Sequence, residues 1–344
     1  MGSVLKHTVA DVRVTVVVHN TDPAPISARL QEYLDDPRLR VITHTDDYRT
    51  PAGPKNLGLS LATAQYTAML DSDDSLEPGA LDAWLAAAET PAGAADAVIA
   101  PTSGAHGRLH PSPPIRWTRA RTGSPLDPYL DRLAYRASPL GLIGRARFGH
   151  LRFAEGIPTG EDQRVTAELW FTPGSRVVFP TRAPRYLEHD DQVDRVTAVS
   201  RSVAEEFASL DVTLAPGTPW ARSKNARLSL GVKLMRVHLF DALRARINGA
   251  WDREAASQLA EAAERIAAWA PLAPGLLSRA DAQLLAAIRA EETDSAILRD
   301  LLAARGHLRS PGALLPQRMR YVFHSQAPLR YHLAGALLLR GSRG

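Results

Sequence analysis

The first half of the chain switches repeatedly between two hydrophobic periodicities. Residues 12–19 are β-branched and nearly continuous, as a strand buried on both faces should be. Asn20-Thr21-Asp22-Pro23 breaks that run, and Ile26, Leu30, Tyr33 and Leu34 then recur at helical spacing. Residues 39–45 read as a second strand and residues 50–53 as a turn. Leu57, Leu61 and Ala64 mark a helix leading into a strand over residues 67–70. Leu81, Trp84, Leu85 and Ala88 mark the next helix, and residues 97–100 a further strand. Strand and helix in alternation predict an open α/β sheet, parallel in its first part. Ligands of such sheets bind beyond the carboxyl ends of the strands, where Asn20, Asp46 and Asp71 fall.

Residues 101–128, rich in Pro, Gly, Ser and Arg, read as one long loop. From about Thr197 the strand signals vanish. Stretches rich in Ala, Leu and Arg follow at helical spacing, broken by Pro216, Pro219, Pro271, Pro274 and Pro311. The expected division is an α/β domain over residues 1–200 and an all-helical domain over residues 201–344.

Composition narrows the class. The chain has 344 residues, 45% apolar and 23% charged, as ordinary globular proteins do. It contains no cysteine, which excludes disulfides and thiolate metal sites. No stretch approaches the ~18 consecutive apolar residues of a membrane span. The N-terminus lacks a secretory apolar region, and Lys6 stands where a myristoylation signal has Ser or Thr. These features predict a cytoplasmic protein. A net charge of +4 attracts polyanions only weakly, and no nucleic-acid partner is expected.

The most informative segment is Thr67-Ala68-Met69-Leu70-Asp71-Ser72-Asp73-Asp74, an apolar run ending in three carboxylates. Like charges crowded at the end of a buried strand repel one another unless a cation sits among them. Oxygen ligands suit Mg²⁺ or Mn²⁺, and these ions commonly hold phosphate. A solvated turn or a helix cap is the ordinary reading of so short a motif. A second acidic site, Gly160-Glu161-Asp162-Gln163, precedes an amphipathic helix with Val165, Leu169 and Trp170 on one face. Alone it reads as a helix start whose carboxylates complement the dipole. A third polar site, Tyr186-Leu187-Glu188-His189-Asp190-Asp191, follows a strand over residues 176–179.

In their order along the chain these sites resemble the GT-A-type inverting glycosyltransferases of family 2, over roughly residues 12–200. Val14 to Asn20 looks like the family's opening strand. Gly53-Pro54-Lys55-Asn56-Leu57-Gly58-Leu59-Ser60-Leu61-Ala62 is similar to its donor-binding "ARNxGxxxA" pattern. Residues 66–74, with Leu76, Pro78, Gly79 and Leu81, match its "LDSDD" block. Arg152-Phe153-Ala154-Glu155-Gly156 with Gly160-Glu161-Asp162 looks like its acceptor-side "gED" block, and Arg185 to His189 resembles its late "Y-x-x-H" element.

The resemblance implies a GT-A (Rossmann-like) mixed, mainly parallel sheet flanked by helices. It implies transfer of a sugar from a nucleotide-diphosphate sugar, most readily a UDP-sugar, to an acceptor hydroxyl by direct displacement. Asp71 would contact the ribose or the metal, Asp73 would be the main ligand of Mn²⁺ or Mg²⁺, and His189 would complete that site. Asp74 would hold the loop. Lys55, where the family often has Arg, would pair with phosphate. Asn20, Asp46 and Asn56 belong to the expected donor site. The acceptor hydroxyl needs a base, for which Asp162 is the first candidate and Glu161 the second. Such a displacement passes through an oxocarbenium-like state and inverts the anomeric centre.

The chain also departs from the pattern. Only Thr43-His44-Thr45-Asp46-Asp47 stands where the family has a "DDGSxD" turn. There is no Gln-x-x-Arg-Trp element, so a processive synthase is not expected. The acceptor is expected to be a glycan, a glycopolymer or a small molecule. In the helical half, Arg222, Lys233, Arg236 and Arg244 fall on one helical arc with Phe240. That arc is either a solvated face or a surface for an anionic acceptor or a peripheral membrane contact. Residues 330–340 suit an oligomer contact, a membrane-surface helix or a packed terminus. Two other functions use the same residues: a non-catalytic nucleotide-sugar or glycan-binding protein on this fold, and a nucleotidyltransferase.

Overall fold

The computed structural model describes residues 1–91, 93–104, 107, 109–189 and 201–341. Strand β1 (Val14–His19) pairs in parallel with β2 (Leu39–His44), in register from Val14 opposite Leu39 to His19 opposite His44. Between them runs helix α1 (Pro23–Arg29), which Asp22 caps through its side chain. Helix α2 (Ala52–Leu61) packs on this strand pair.

The main sheet lies beside it. Its strands are β3 (Tyr66–Thr67), β5 (Ala97–Ile99), β8 (Gly141–Gly144) and β9 (Val177–Val178), in spatial order β9-β5-β8-β3. β9 runs parallel to β5, whereas β8 runs antiparallel to both β5 and β3. A third sheet joins β4 (Ser75–Leu76), β10 (Tyr186–Leu187), β6 (Thr102–Ser103) and β7 (Leu109–His110).

The main sheet is covered on both faces, which explains its uninterrupted apolar sequence. Ile99, Ile143 and Val177 pack with Val165, Leu169 and Trp170 of α4 (Gln163–Phe171). On the other face Val98, Leu142 and Val178 pack with Trp84 of α3 (Ala80–Ala88). β8 approaches β5 closely. A Cβ on Gly141, whose φ is +131°, would lie 2.0 Å from the Val98 carbonyl oxygen, so only glycine fits there.

The C-terminal half is helical throughout its described residues. Arg253–Trp269, Arg279–Arg289 and Ser295–Gly306 enclose a core of their own with Leu239, Phe240 and Leu243. Trp220, Ala226 and Leu230 instead join the core around α4, so the helices are built directly onto the α/β layer. The division expected at residue 200 lies outside the described residues, as do Asp190 and Asp191.

Several local expectations change. Residues 50–53 are not simply a turn, because α2 begins at Ala52. Residues 101–128 are not one loop: they hold β6, β7 and the short helix Trp117–Thr122. The strand expected at 67–70 is in the sheet only at Tyr66–Thr67. It is an edge strand, and beyond Thr67 its free side faces a cleft shared with β1.

The basic arc of the helical half also dissolves. Residues 224–246 form an α-helix interrupted by a π-helical segment, Leu234–Leu239, which breaks the 100° register on which the arc was drawn. Lys233 and Arg236 are buried there, while Arg222 and Arg244 are exposed. Arg236 donates to the Tyr135 hydroxyl at 2.5 Å and to the Gln326 carbonyl at 3.2 Å. The last helix, Pro328–Gly341, is a packed terminus in this structure. Its Tyr331 ring lies against Tyr135, with centroids 4.7 Å apart.

Candidate functional site

A cleft of about 2270 Å³ opens between β1, the edge at residues 67–70 and the loop before α4. Lys55, Asp71, Asp73, Glu161 and Asp162 all line it. Asn20, Asp46, Asn56 and His189 lie outside its lining.

The acidic turn owes its shape to the last strand of the third sheet. The Tyr186 hydroxyl accepts from the Asp71 amide at 3.0 Å and donates to Asp74 Oδ2 at 2.7 Å. The His189 amide donates to Asp74 Oδ1 at 3.0 Å. Asp74 is thereby committed to holding the turn, and burial raises its pKa. His189 Nε2 lies 2.8 Å from Ser75 Oγ. Asp71 projects toward α2, where Lys55 Nζ sits 3.1 Å from its Oδ1. The same ammonium lies 5.5 Å from the Phe153 ring centroid.

Across the cleft, Asp162 occupies the N-cap position of α4 without making a side-chain cap. Its carboxylate instead accepts from Ser138 Oγ at 3.1 Å. Burial, reinforced by Glu161, pushes the Asp162 carboxyl up to about 6. Lys233 opposes that rise and is itself lowered by burial to about 8. The helical half therefore contributes charge to this corner, and His238 of the π segment lines the cleft as well.

Asn56, on α2, holds the loop before α4 rather than lining the cleft. Its Nδ2 donates to the Phe153 carbonyl at 3.0 Å and to Glu155 Oε1 at 2.6 Å, and its Oδ1 accepts from the Phe153 amide at 2.7 Å. Asn20 and Asp46 are bonded to each other, with the Asp46 amide donating to Asn20 Oδ1 at 3.0 Å. The Asp46 carboxylate also meets His19 Nε2 at 2.9 Å and His44 Nε2 at 3.1 Å. The His19 hydrogen bond is the largest cause holding its carboxyl down at about 2.

The profile of glycosyl transferase family 2 matches residues 2–140, a segment that includes α2, the acidic turn and β5. Over residues 2–140 the chain resembles the family 2 glycosyltransferases. A stretch of 70 residues is 39% identical to the succinoglycan biosynthesis protein ExoO of Rhizobium meliloti, covering 20% of each chain. The likeness thus spans about a fifth of that curated relative. Among solved structures, S. aureus TarS 1–349 in complex with UDP-GlcNAc superposes with a TM-score of 0.66 at 18% identity, covering 86% of this chain and 82% of that one. The same protein in complex with UDP gives 0.62 at 17% identity, over 86% and 82%. At such identity the likeness shows the fold, a GT-A α/β domain followed by a helical region. The family 2 match ends before Glu161 and Asp162, so these two stand on the geometry of the cleft.

Five residues in or beside the site were not expected there from the sequence. Ser138 carries no motif. Lys233 and His238 sit in or beside a π segment that helical periodicity cannot anticipate. His19 and His44 were visible only as ends of two strands, and their pairing required the register. Among the described residues no helix is long and apolar enough to cross a membrane.

Proposed function

We propose that the chain transfers a sugar from a UDP-sugar to an acceptor hydroxyl by metal-dependent direct displacement, with inversion and without processivity. The observation that carries this reading is that Asp73 of the acidic turn and Asp162 before α4 line one cleft.

The acidic turn fits a hard divalent cation, Mn²⁺ or Mg²⁺. Asp71 and Asp73 reach the cleft, and such ions are usually held by one or two carboxylates together with substrate phosphates. When bound, the ion neutralises charge on the departing diphosphate. His189, whose Nε2 lies 2.8 Å from Ser75 Oγ, is assigned to complete that site. Lys55 stands beside Asp71, where its ammonium meets the phosphates as a point charge. Asn20 and Asp46 at the ends of β1 and β2 are assigned to the nucleoside. UDP-GlcNAc and UDP are bound by TarS, which supports uridine as the base.

Asp162 takes the proton of the acceptor hydroxyl. A carboxyl raised to about 6 matches a base working near neutrality, and the Ser138 hydroxyl orients it. Glu161 lies next to it and keeps that pKa high. The acceptor, a glycan, glycopolymer or small molecule, enters on the side of α4 and the π segment. The location remains the expected cytoplasmic one.

A panel of UDP-sugars assayed for UDP release, with Mn²⁺ and with chelator, tests the reading, and the anomeric configuration of the product tests inversion. Turnover unaffected by chelator contradicts metal dependence. Saturable binding without turnover would make the chain a binding protein.

A further inference from the structure

We propose that His19, His44 and Asp46 form a second metal site, one that takes Zn²⁺ or a similar nitrogen-seeking ion and is separate from the acidic turn. The proposal does not rest on the transferase reading; because that reading gives Asp46 to the nucleoside, ion and nucleoside compete for this carboxylate.

The register of β1 and β2 places His19 opposite His44, with ring centroids 5.6 Å apart and planes 23° apart. Both rings aim Nε2 at the same carboxylate, at 2.9 and 3.1 Å. One atom from each of the three side chains lies within 4.8 Å of the others, and among the described residues this is the only such group. Four-coordinate zinc with bonds of about 2.0–2.1 Å separates its ligands by about 3.3 Å, so small shifts admit the ion.

The surroundings suit a built site. Asp46 Oδ1 accepts from the Tyr48 amide at 2.9 Å and from Asn20 Nδ2 at 3.3 Å, which orients the carboxylate as outer-shell partners do around metals. Gly53 leaves the necessary space: a Cβ there would lie 2.2 Å from Asp46 Oδ2 and 2.7 Å from His44 Nε2. Two imidazoles and one carboxylate select zinc-like ions, whereas the acidic turn offers oxygen alone and selects Mg²⁺ or Mn²⁺. Three protein ligands leave a fourth position, and His19 opens it to the cleft.

The test is calorimetric titration of Zn²⁺ into the full, metal-stripped chain near neutral pH without nucleotide. One equivalent should bind, and Zn²⁺ should raise the melting temperature. His44→Gln and His19→Gln should each weaken binding by at least about tenfold. His44→Cys, a competent zinc ligand, should restore it, and Asp73→Asn should leave it unchanged. Circular dichroism establishes which variants are folded, and either histidine variant suffices. Absence of Zn²⁺ binding by the parent overturns the proposal, as does parental affinity in a folded histidine variant or loss of binding in Asp73→Asn. Because no sugar nucleotide is present, failure here leaves the transferase reading to its own test.

Discussion

The Tyr186 hydroxyl lies 2.7 Å from Asp74 Oδ2 and 3.0 Å from the Asp71 amide, so one buried phenol ties the last strand to the acidic turn. The chain thereby fastens the two ends of the α/β region at the point where substrate charge is handled. Tyr186→Phe keeps the packing and removes the hydroxyl. The partly buried Asp74 loses a donor, and stability should fall by about 1–3 kcal/mol in urea denaturation. Metal-dependent UDP affinity should fall with it, because Asp71 and Asp73 share that turn.

The Lys55 ammonium pairs with Asp71 at the mouth of the proposed phosphate site. Lys55→Met should weaken UDP binding by about 10–100-fold, the worth of a hydrogen bond to a charged group. Lys55→Arg should restore most of that loss, since the charge is kept. Calorimetry with UDP and Mn²⁺ reads both.

The acid limb of the rate should have its midpoint near pH 6, where Asp162 ionises. Lys233 favours the ionised form, so Lys233→Met should move that midpoint upward. A profile of kcat against pH for both proteins decides it.

The same shift has a consequence for stability. A carboxyl raised from 3.8 to about 6 keeps its proton in the folded chain while the unfolded chain releases it. Its contribution to stability therefore falls as pH rises from about 4 to about 6, and stays lost above that window. Asp162→Asn should raise neutral-pH stability by an amount on the order of 1–2 kcal/mol, measured by urea denaturation. Stabilisation by loss of a group that turnover needs is the expected trade at an active site.

Much of this was legible in the sequence, for physical reasons. The apolar runs of β1 and β5 and the helical spacing of Leu81, Trp84 and Ala88 pointed to the α/β layer, although β1, read as buried on both faces, is buried only at Val18 while β5 is buried throughout. Short, glycine-flanked β8 left none, although it lies at the centre of the main sheet. Asp71 and Asp73 were recognisable as carboxylates that end an apolar run, Lys55, Glu161 and Asp162 only through the resemblance to family 2, and all five meet in the cleft. Asn56 was read as a donor-site residue, yet its amide binds Phe153 and Glu155, a partnership about a hundred residues away that no local pattern encodes. The π segment explains why Lys233 passed for one member of a basic face.

The most direct test compares donor affinity and turnover in Asp162→Asn, using UDP-sugar hydrolysis with water as acceptor where no other acceptor is known. The account predicts a Kd for the UDP-sugar close to the parental value and a kcat lower by about 10²–10⁴, because a base acts only in the transition state. Turnover at the parental rate with unchanged affinity would contradict it.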